Sequence, residues 1–383
     1  MTERDESPRA VFATPGGVDG GGMGRVTGYI VDHLRATGYD PVVLDTRGAG
    51  PVALSPFYLA AALGRLAALA VTRRVGVVHI NVSERGSVVR KAVVLAAARA
   101  LGVPAVMHLH GANFVEYFES GTVARTLSRW LFTRSDRVIV LGDGWRDYLV
   151  HTVGVHADRV HVLHNAVPDI APTPGPALDP PEEGGRPVRL LILANLCERK
   201  GIGTALQAAS LLKSQGFRFR LLFGGSGDVA GYTRMARDLG VGAETEFLGW
   251  VTRDQAHALI RSSDLLLLPS THEGLPMVIL EALCARLPVV TTPVGSIPEV
   301  LTDGETARIV PVNDAEALAD AVAGLTADAP ARARLAAAGR RLFEQLFQIE
   351  GYCLRLQAIH RAAAGGAAPG AAERPSAAYS GPR

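Results

Sequence analysis

Two glutamates, Glu273 and Glu281, bracket a Gly274-Leu275-Pro276 step in the stretch "STHEGLPMVILEALCARLPVV". The run just before it, "DLLLLPS", is apolar throughout, as in a strand buried on both faces. Proline favours the first position of a helix, and a helix from Pro276 would run on through Val278, Ile279, Leu280 and Leu283. The spacing predicts Glu273 in a loop at the strand's carboxyl end and Glu281 in the second turn of the helix. The free N–H groups from Gly274 to Met277 would then hold an anion. A carboxylate repels a phosphate, so these glutamates should instead accept hydrogen bonds from hydroxyls, such as those of a ribose and a hexose. The bland alternative is a pair of solvated acids on a helix face, and the apolar surroundings argue against it.

A second chemically suggestive stretch is "LILANLCERKGIGTALQAASLL". A strand ends at Ala194, the loop carries Asn195, Glu198, Arg199 and Lys200, and Gly201 opens a helix. Cations beside a helix N-terminus suit a diphosphate, although a solvated charge cluster would look the same. "LLFGGSGD" ends another strand in a small-residue turn that includes Gly225. Near the start, "VFATPGGVDGGGMGRVTGYIVDHLRATG" passes from a strand through Gly16 to Gly24 into a helix, with Gly22 in the turn. Such glycines let a ligand approach the backbone, but the spacing is not a clean G-x-G-x-x-G, and no acidic residue convincingly follows a second strand. A nicotinamide dehydrogenase is therefore disfavoured. No G-K-[ST] occurs, so a P-loop is absent.

The elements that must position these residues recur in order. Apolar runs such as "PVVLDT", "GVVHIN", "AVMHLH" and "RVIVLG" alternate with helical stretches, and a second series begins at "VRLLILAN". This predicts an α/β chain of two Rossmann-like, doubly wound domains, with ligands in a cleft at their facing strand ends. Residues 1–9 read as a disordered tail, 10–167 as the first domain, 168–187 as a Pro/Gly/acid-rich linker and 188–345 as the second domain. The segment from Asp314 to about Ala364 reads as helix throughout; 346–364 is its last part and is expected to cross back to the first domain, and 365–383 reads as a second disordered tail. The 383 residues carry a formal charge of only +2, which gives no reason to expect nucleic acid as a partner. Cys197, Cys284 and Cys353 show neither metal-ligand spacing nor a disulfide pattern, so no metal is expected and a reducing cytoplasm fits. The N-terminus does not read as a secretory signal. The longest apolar stretch, taken as Phe57 to Val71, is expected to be too short to span a bilayer.

Taken together, these motifs resemble retaining glycosyltransferases of family 4 with the GT-B fold. Glu273 and Glu281 match the E-x7-E motif with its Gly-Leu-Pro, and "TTPVGSIPEVL", "LHNAV" and "VTRDQAHALIRSSDLLLLPS" match neighbouring segments over about Val11 to Ala362. The resemblance implies a nucleotide-diphosphate sugar (UDP- or GDP-linked) as co-substrate and no cofactor. It implies that Glu281 binds the ribose, that Glu273 and the Gly274 to Met277 backbone approach the donor sugar, and that Lys200 stabilises the leaving diphosphate. Donor contacts would come from Gly22, Asn195, Arg199, Gly225, Gly274, Leu275 and Pro276 as well. Where the family has Gly-Arg-Leu, this chain reads Ala194-Asn195-Leu196, so Arg199 or Asn195 must serve in place of the usual arginine. His110 in "VMHLHGANF" would lie at the reacting centre, with His108 facing the sheet.

Arg85, Arg90 and Lys91 in "NVSERGSVVRK" resemble the basic turn of family members that build exopolysaccharide units on lipid diphosphate carriers. The expected reaction is transfer to a saccharide or lipid-linked saccharide acceptor. A small soluble acceptor, a 2-epimerase and a non-catalytic sugar-nucleotide-binding module are the alternatives. The segment "RTLSRWLFTRSDR" is expected to be mostly core through Val123, Leu127, Trp130 and Leu131, yet its arginines and aromatics also fit peripheral contact with an anionic membrane on the cytoplasmic side.

Overall fold

The computed structural model describes residues 9–19, 21–48, 50–171 and 186–366. The chain forms two units, residues 1–166 with 348–383 and residues 167–347. Residues 1–8, 172–185 and 367–383, to which the tails and most of the linker are assigned above, lie outside the described residues. Arg9, placed above in the first tail, opens a strand.

The first unit holds β1 (Arg9–Thr14), β2 (Val42–Asp45), β3 (Val75–Val82), β4 (Ala105–Leu109), β5 (Arg137–Val140) and β6 (Val160–Val162). All are parallel, in the order β2-β1-β3-β4-β5-β6. Its crossovers carry α1 (Gly21–Ala36), α2 (Ser55–Val71), α3 (Gly86–Ala100), α4 (Phe114–Glu119), α5 (Thr122–Thr133) and α6 (Asp143–Tyr148). The second unit holds β7 (Val188–Leu193), β8 (Phe219–Gly224), β9 (Thr245–Gly249), β10 (Leu265–Leu268), β11 (Val289–Thr291) and β12 (Arg308–Ile309). These are again parallel, in the order β12-β11-β10-β7-β8-β9. Its helices are α7 (Ile202–Ser214), α8 (Val229–Asp238), α9 (Arg253–Arg261), α10 (Met277–Cys284), α11 (Ile297–Val300), α12 (Ala315–Ala327) and α13 (Ala329–Leu346). Strands covered on both faces read as unbroken apolar runs, and the four leucines of β10 are all buried.

The stretch expected as one long helix from Asp314 is three. Asp328 ends α12 and caps α13 by accepting from the Ala331 N–H, and Pro330 fits only in a first turn. The last helix, α14 (Ile349–Ala363), belongs to the first unit and packs against α1.

Two further expectations are corrected. The apolar segment does not begin at Phe57. Pro56 sits in the first turn of α2, where proline is tolerated, and a 3-10 turn at Val52–Leu54 extends it. The result, Val52–Val71, is a 20-residue helix long and apolar enough by length and composition to cross a membrane. In α5, Leu131 and Phe132 are fully buried and Leu127 and Trp130 pack on the same core, so its large aromatics do not form an outer face. Val123 is the exception to the expected core positions, at 81% exposed.

The start of the second unit is tied down by one ion pair. Buried Arg340 of α13 donates to both Asp169 oxygens, at 2.8 and 2.6 Å, and also to the Cys284 carbonyl at 2.8 Å and to Glu344. The guanidinium holds the Asp169 carboxyl down to about 2. Removing one partner of such a pair leaves a charge poorly compensated, so Asp169→Ala should lower stability by about 2–3 kcal/mol. Urea denaturation followed by circular dichroism measures this; a loss below about 0.5 kcal/mol, the scale of an ordinary surface change, would count against it.

Candidate functional site

In the second unit the chemistry gathers at the carboxyl ends of β7 and β10. After β7 the chain makes a 3-10 turn, Glu198–Lys200, and enters α7 through Gly201 at φ +66°. A Cβ at this position would lie 1.9 Å from the Pro269 carbonyl oxygen, so only glycine allows the two loops to touch. Thr271 N–H donates to the Arg199 carbonyl at 2.8 Å, and Arg199 donates to the His272 carbonyl at 2.7 Å. This cross-bonding brings Lys200 Nζ to 2.5 Å from Glu273 Oε1, with Arg199 3.8 Å from Oε2. Glu273 is buried and Lys200 is 15% exposed. The neighbouring Arg199 and Lys200 and the distant Glu273, 73 residues beyond Lys200, therefore form one charge cluster.

Gly295, at φ +59°, seats the segment after β11 against this loop: a Cβ there would meet the Glu273 carbonyl oxygen at 2.1 Å. Ser296 N–H donates to the Gly274 carbonyl at 2.9 Å. Gly274, Leu275 and Pro276 are buried. Pro276 is not the first helical residue but the N-cap of α10, with ψ 128° keeping it extended, and no side chain caps this helix. Asn195 lies exposed in the first turn after β7, with its Oδ1 accepting from Ser226, and Gly225 closes against the Ala194 carbonyl in the neighbouring turn. Glu281, placed above on the donor's ribose, lies in the second turn of α10. It is fully buried, with Oε1 3.8 Å from Nε2 of His257 on α9. His257 went unread in the sequence because a lone histidine in a helix carries no signal of its own.

In the first unit His110 follows β4 and is held by a chain of hydrogen bonds. Thr27 Oγ1 donates to the Met23 carbonyl, so it must accept from Asn81 Nδ2 at 2.9 Å. That fixes the Asn81 amide, whose Oδ1 then accepts from His110 Nε2 at 3.1 Å and His79 Nε2 at 3.2 Å. His79 Nδ1 in turn accepts from His360 Nε2 of α14 at 3.0 Å. The proton positions follow from the network: His110 carries its proton on Nε2 and presents Nδ1 as a bare acceptor. His108 is fully buried between them, 3.2 Å from His79. Burial lowers His79 to about 4 and His110 to about 3, His110 also through its neighbour His79. His79 and Asn81, like His108 and His110, alternate along one strand face, a pattern the sequence does contain; His360 reaches them only because α14 returns.

The remaining predicted residues divide. Gly22 lies in the first turn of α1, with open space where a Cβ would be. An acid does end the second strand, contrary to the reading above: Asp45 Oδ1 accepts from the N–H groups of Gly16, Arg47 and Gly48, stapling the glycine turn. Lys91 is not a surface cation. It is fully buried, with Nζ donating to the Ala13 carbonyl and to Thr46 Oγ1, and burial pushes its pKa well down. Arg90 is partly buried. Arg85 is exposed at φ +56°, a conformation costing about 1–3 kcal/mol. It lines a small cleft with Glu84, Asn113, Glu116, Tyr117 and Ser120. Glu84 Oε2 and Asn113 Oδ1 are buried there without a partner within the protein, and Gly111 leaves room for that carboxylate.

The histidine network makes a pH prediction. The unfolded histidines titrate near 6.5, and His79 and His110 stay neutral in the folded chain down to about 4 and 3. The unfolded state thus binds more protons below 6.5, so stability is full above 6.5 and falls as pH drops toward 4, by up to about 1.4 kcal/mol per pH unit per histidine. Asp169 contributes its loss only below its ordinary value of 3.8. Urea midpoints between pH 7 and pH 4.5 should fall, and His79→Phe combined with His360→Leu should flatten the slope. An unchanged slope would refute the assignment.

Residues 21–166 match the glycosyl transferase 4-like domain, and residues 179–342 match glycosyl transferases group 1. WcaL of Salmonella typhimurium, named for glycosyl transfer in colanic acid biosynthesis, is 30% identical over 201 residues, covering 49% of this chain and 47% of that protein. The alpha-D-kanosaminyltransferase of Streptomyces kanamyceticus is 27% identical over 253 residues, 62% of this chain and 65% of that one. The chain spans about half the length of the first curated relatives it matches. Among solved structures, Alr3699/HepE of Anabaena in complex with UDP and glucose superposes with a TM-score of 0.71 at 17% identity, over 91% of this chain and 98% of that one. The chain thus joins a glycosyl transferase 4-like domain, residues 21–166, to a domain of the glycosyl transferases group 1, residues 179–342, on a GT-B fold of two parallel-sheet units.

Proposed function

We propose that the protein transfers a sugar from a nucleotide-diphosphate donor to a hydroxyl of a lipid-linked saccharide, with retention of anomeric configuration. The observation that carries this reading is the Lys200–Glu273–Arg199 cluster at the carboxyl ends of β7 and β10. Two cations held on a carboxylate have a natural second partner in a diphosphate. Similarity to WcaL supports a glycan acceptor, and the UDP and glucose bound by Alr3699/HepE support the donor class.

In the reaction the bond between the anomeric carbon and the diphosphate oxygen breaks. The acceptor oxygen bonds to that carbon on the same face, and its proton passes to the departing phosphate oxygen. Negative charge grows on the diphosphate in the transition state, where Lys200 and Arg199 stabilise it electrostatically without need of a metal ion. Glu273 accepts hydrogen bonds from donor-sugar hydroxyls, while the backbone of Gly274 to Pro276, with Asn195 and Gly225, shapes the donor pocket. Glu281 takes the ribose hydroxyls once its buried oxygen is uncovered. His110, with Nδ1 bare, accepts a sugar hydroxyl near the reacting carbon. The unpartnered Glu84 and Asn113 oxygens receive acceptor hydroxyls, with Arg85 beside them.

Lys200→Ala should lower kcat roughly a hundredfold with a smaller change in donor KM, because its partner charge peaks in the transition state. Rates are to be measured with and without a chelator; wild-type turnover in the variant, or metal-dependent turnover, contradicts the mechanism. Glu84→Gln should raise the acceptor KM and leave the donor KM unchanged, and the reverse split would remove Glu84 from the acceptor site. Efficient transfer to a small soluble acceptor, with none to lipid-linked saccharide, would overturn the acceptor class.

A further inference from the structure

The outer face of α2 is unusual for a helix of a doubly wound domain. Only Ser55, Ala62 and Leu66 are buried. The opposite stripe, Leu54, Phe57, Ala61, Arg65, Ala68 and Val71, recurs every three to four residues, is apolar but for Arg65, and is exposed throughout. Phe57 is 74% exposed and Val71 79%. The adjoining α3 packs on α2 and repeats the pattern, exposing Val89, Val93, Ala96 and Ala100. Exposed apolar faces of this kind mark interaction sites.

Charge selects the occupant. From Thr46 to Val115 the chain carries eight lysines and arginines, of which Lys91 is buried, and a single acid, Glu84. Arg65 lies within the α2 stripe, and exposed Arg73 and Arg74 follow its end. A two-fold contact with a second copy would set these cations against themselves with no acid on either α2 or α3 to answer them. An anionic lipid surface answers both features, taking apolar side chains into the acyl boundary and arginines among the phosphates. Spanning the bilayer is ruled against by Leu66, which is fully buried in the first unit's core. We propose that the α2–α3 face is the site at which the protein docks onto an anionic bilayer, lying in its interface rather than crossing it. The inference stands apart from the reaction assigned above, and lipid binding is measured without sugar nucleotide, so either can fail alone.

The test is co-sedimentation of the full chain with phosphatidylcholine vesicles, with and without phosphatidylglycerol, at low and high salt. Wild type should bind the anionic vesicles and be weakened by salt. Phe57→Asp with Val71→Asp, and separately Arg73→Glu with Arg74→Glu, should each weaken binding at least about tenfold, since a cation near the surface contributes about 1 kcal/mol. Val123→Asp on α5, equally exposed, should bind as wild type does, and circular dichroism controls for folding. No vesicle binding by the wild type, equal binding by the Phe57/Val71 variant, or a solution dimer that Phe57→Asp dissociates would each overturn the proposal.

Discussion

Every paired strand in both sheets runs parallel to its neighbour, and that constraint governs the rest. A parallel pair cannot be joined by a hairpin, so each connection must cross a sheet face, most of them as a helix. The sheets are thereby covered on both sides, which is why the inner strands are mostly apolar. The same constraint delivers every loop that follows a strand to one edge of its sheet. Lys200 after β7 and Glu273 after β10 meet because those strands are neighbours, although the residues lie far apart in the chain. His110 after β4 meets Asn81, near the end of β3, for the same reason.

How much of this was legible in the sequence depended on whether the signal was local. The strands could be read because burial on both faces leaves its mark on each run. Glu273, Lys200 and Gly201 could be read because a turn at a strand end is written in consecutive residues. Lys91 could not: its neighbours look like a basic surface turn, and only the packing of α3 against the ends of β1 and β2 puts its ammonium inside. The α2 face failed in the opposite sense. A leucine- and alanine-rich helix implies burial, and nothing within it announces that most of that surface faces outward. His360 depends on a chain that returns to the first unit after the whole second unit has been made.

The charged groups of the second unit are handled in two ways. Arg340 is locked by a bidentate carboxylate, a second acid and a carbonyl, which suits a permanent structural tie. Lys200 has the Glu273 carboxylate at close range and Arg199 stands farther off, so the two cations share one acid. A cluster with one more positive than negative charge is stable in isolation yet still attracts an anion. That difference separates a structural ion pair from one suited to a ligand.

The three cysteines carry a practical consequence. Burial pushes the Cys284 and Cys353 thiols up to about 12, which leaves almost none of the thiolate form that reacts. Cys197 is partly accessible and is the N-cap of the Glu198–Lys200 turn. A thiol-selective fluorophore or spin label would therefore attach next to the two cations without any engineered cysteine, and its signal would report directly on what that turn binds.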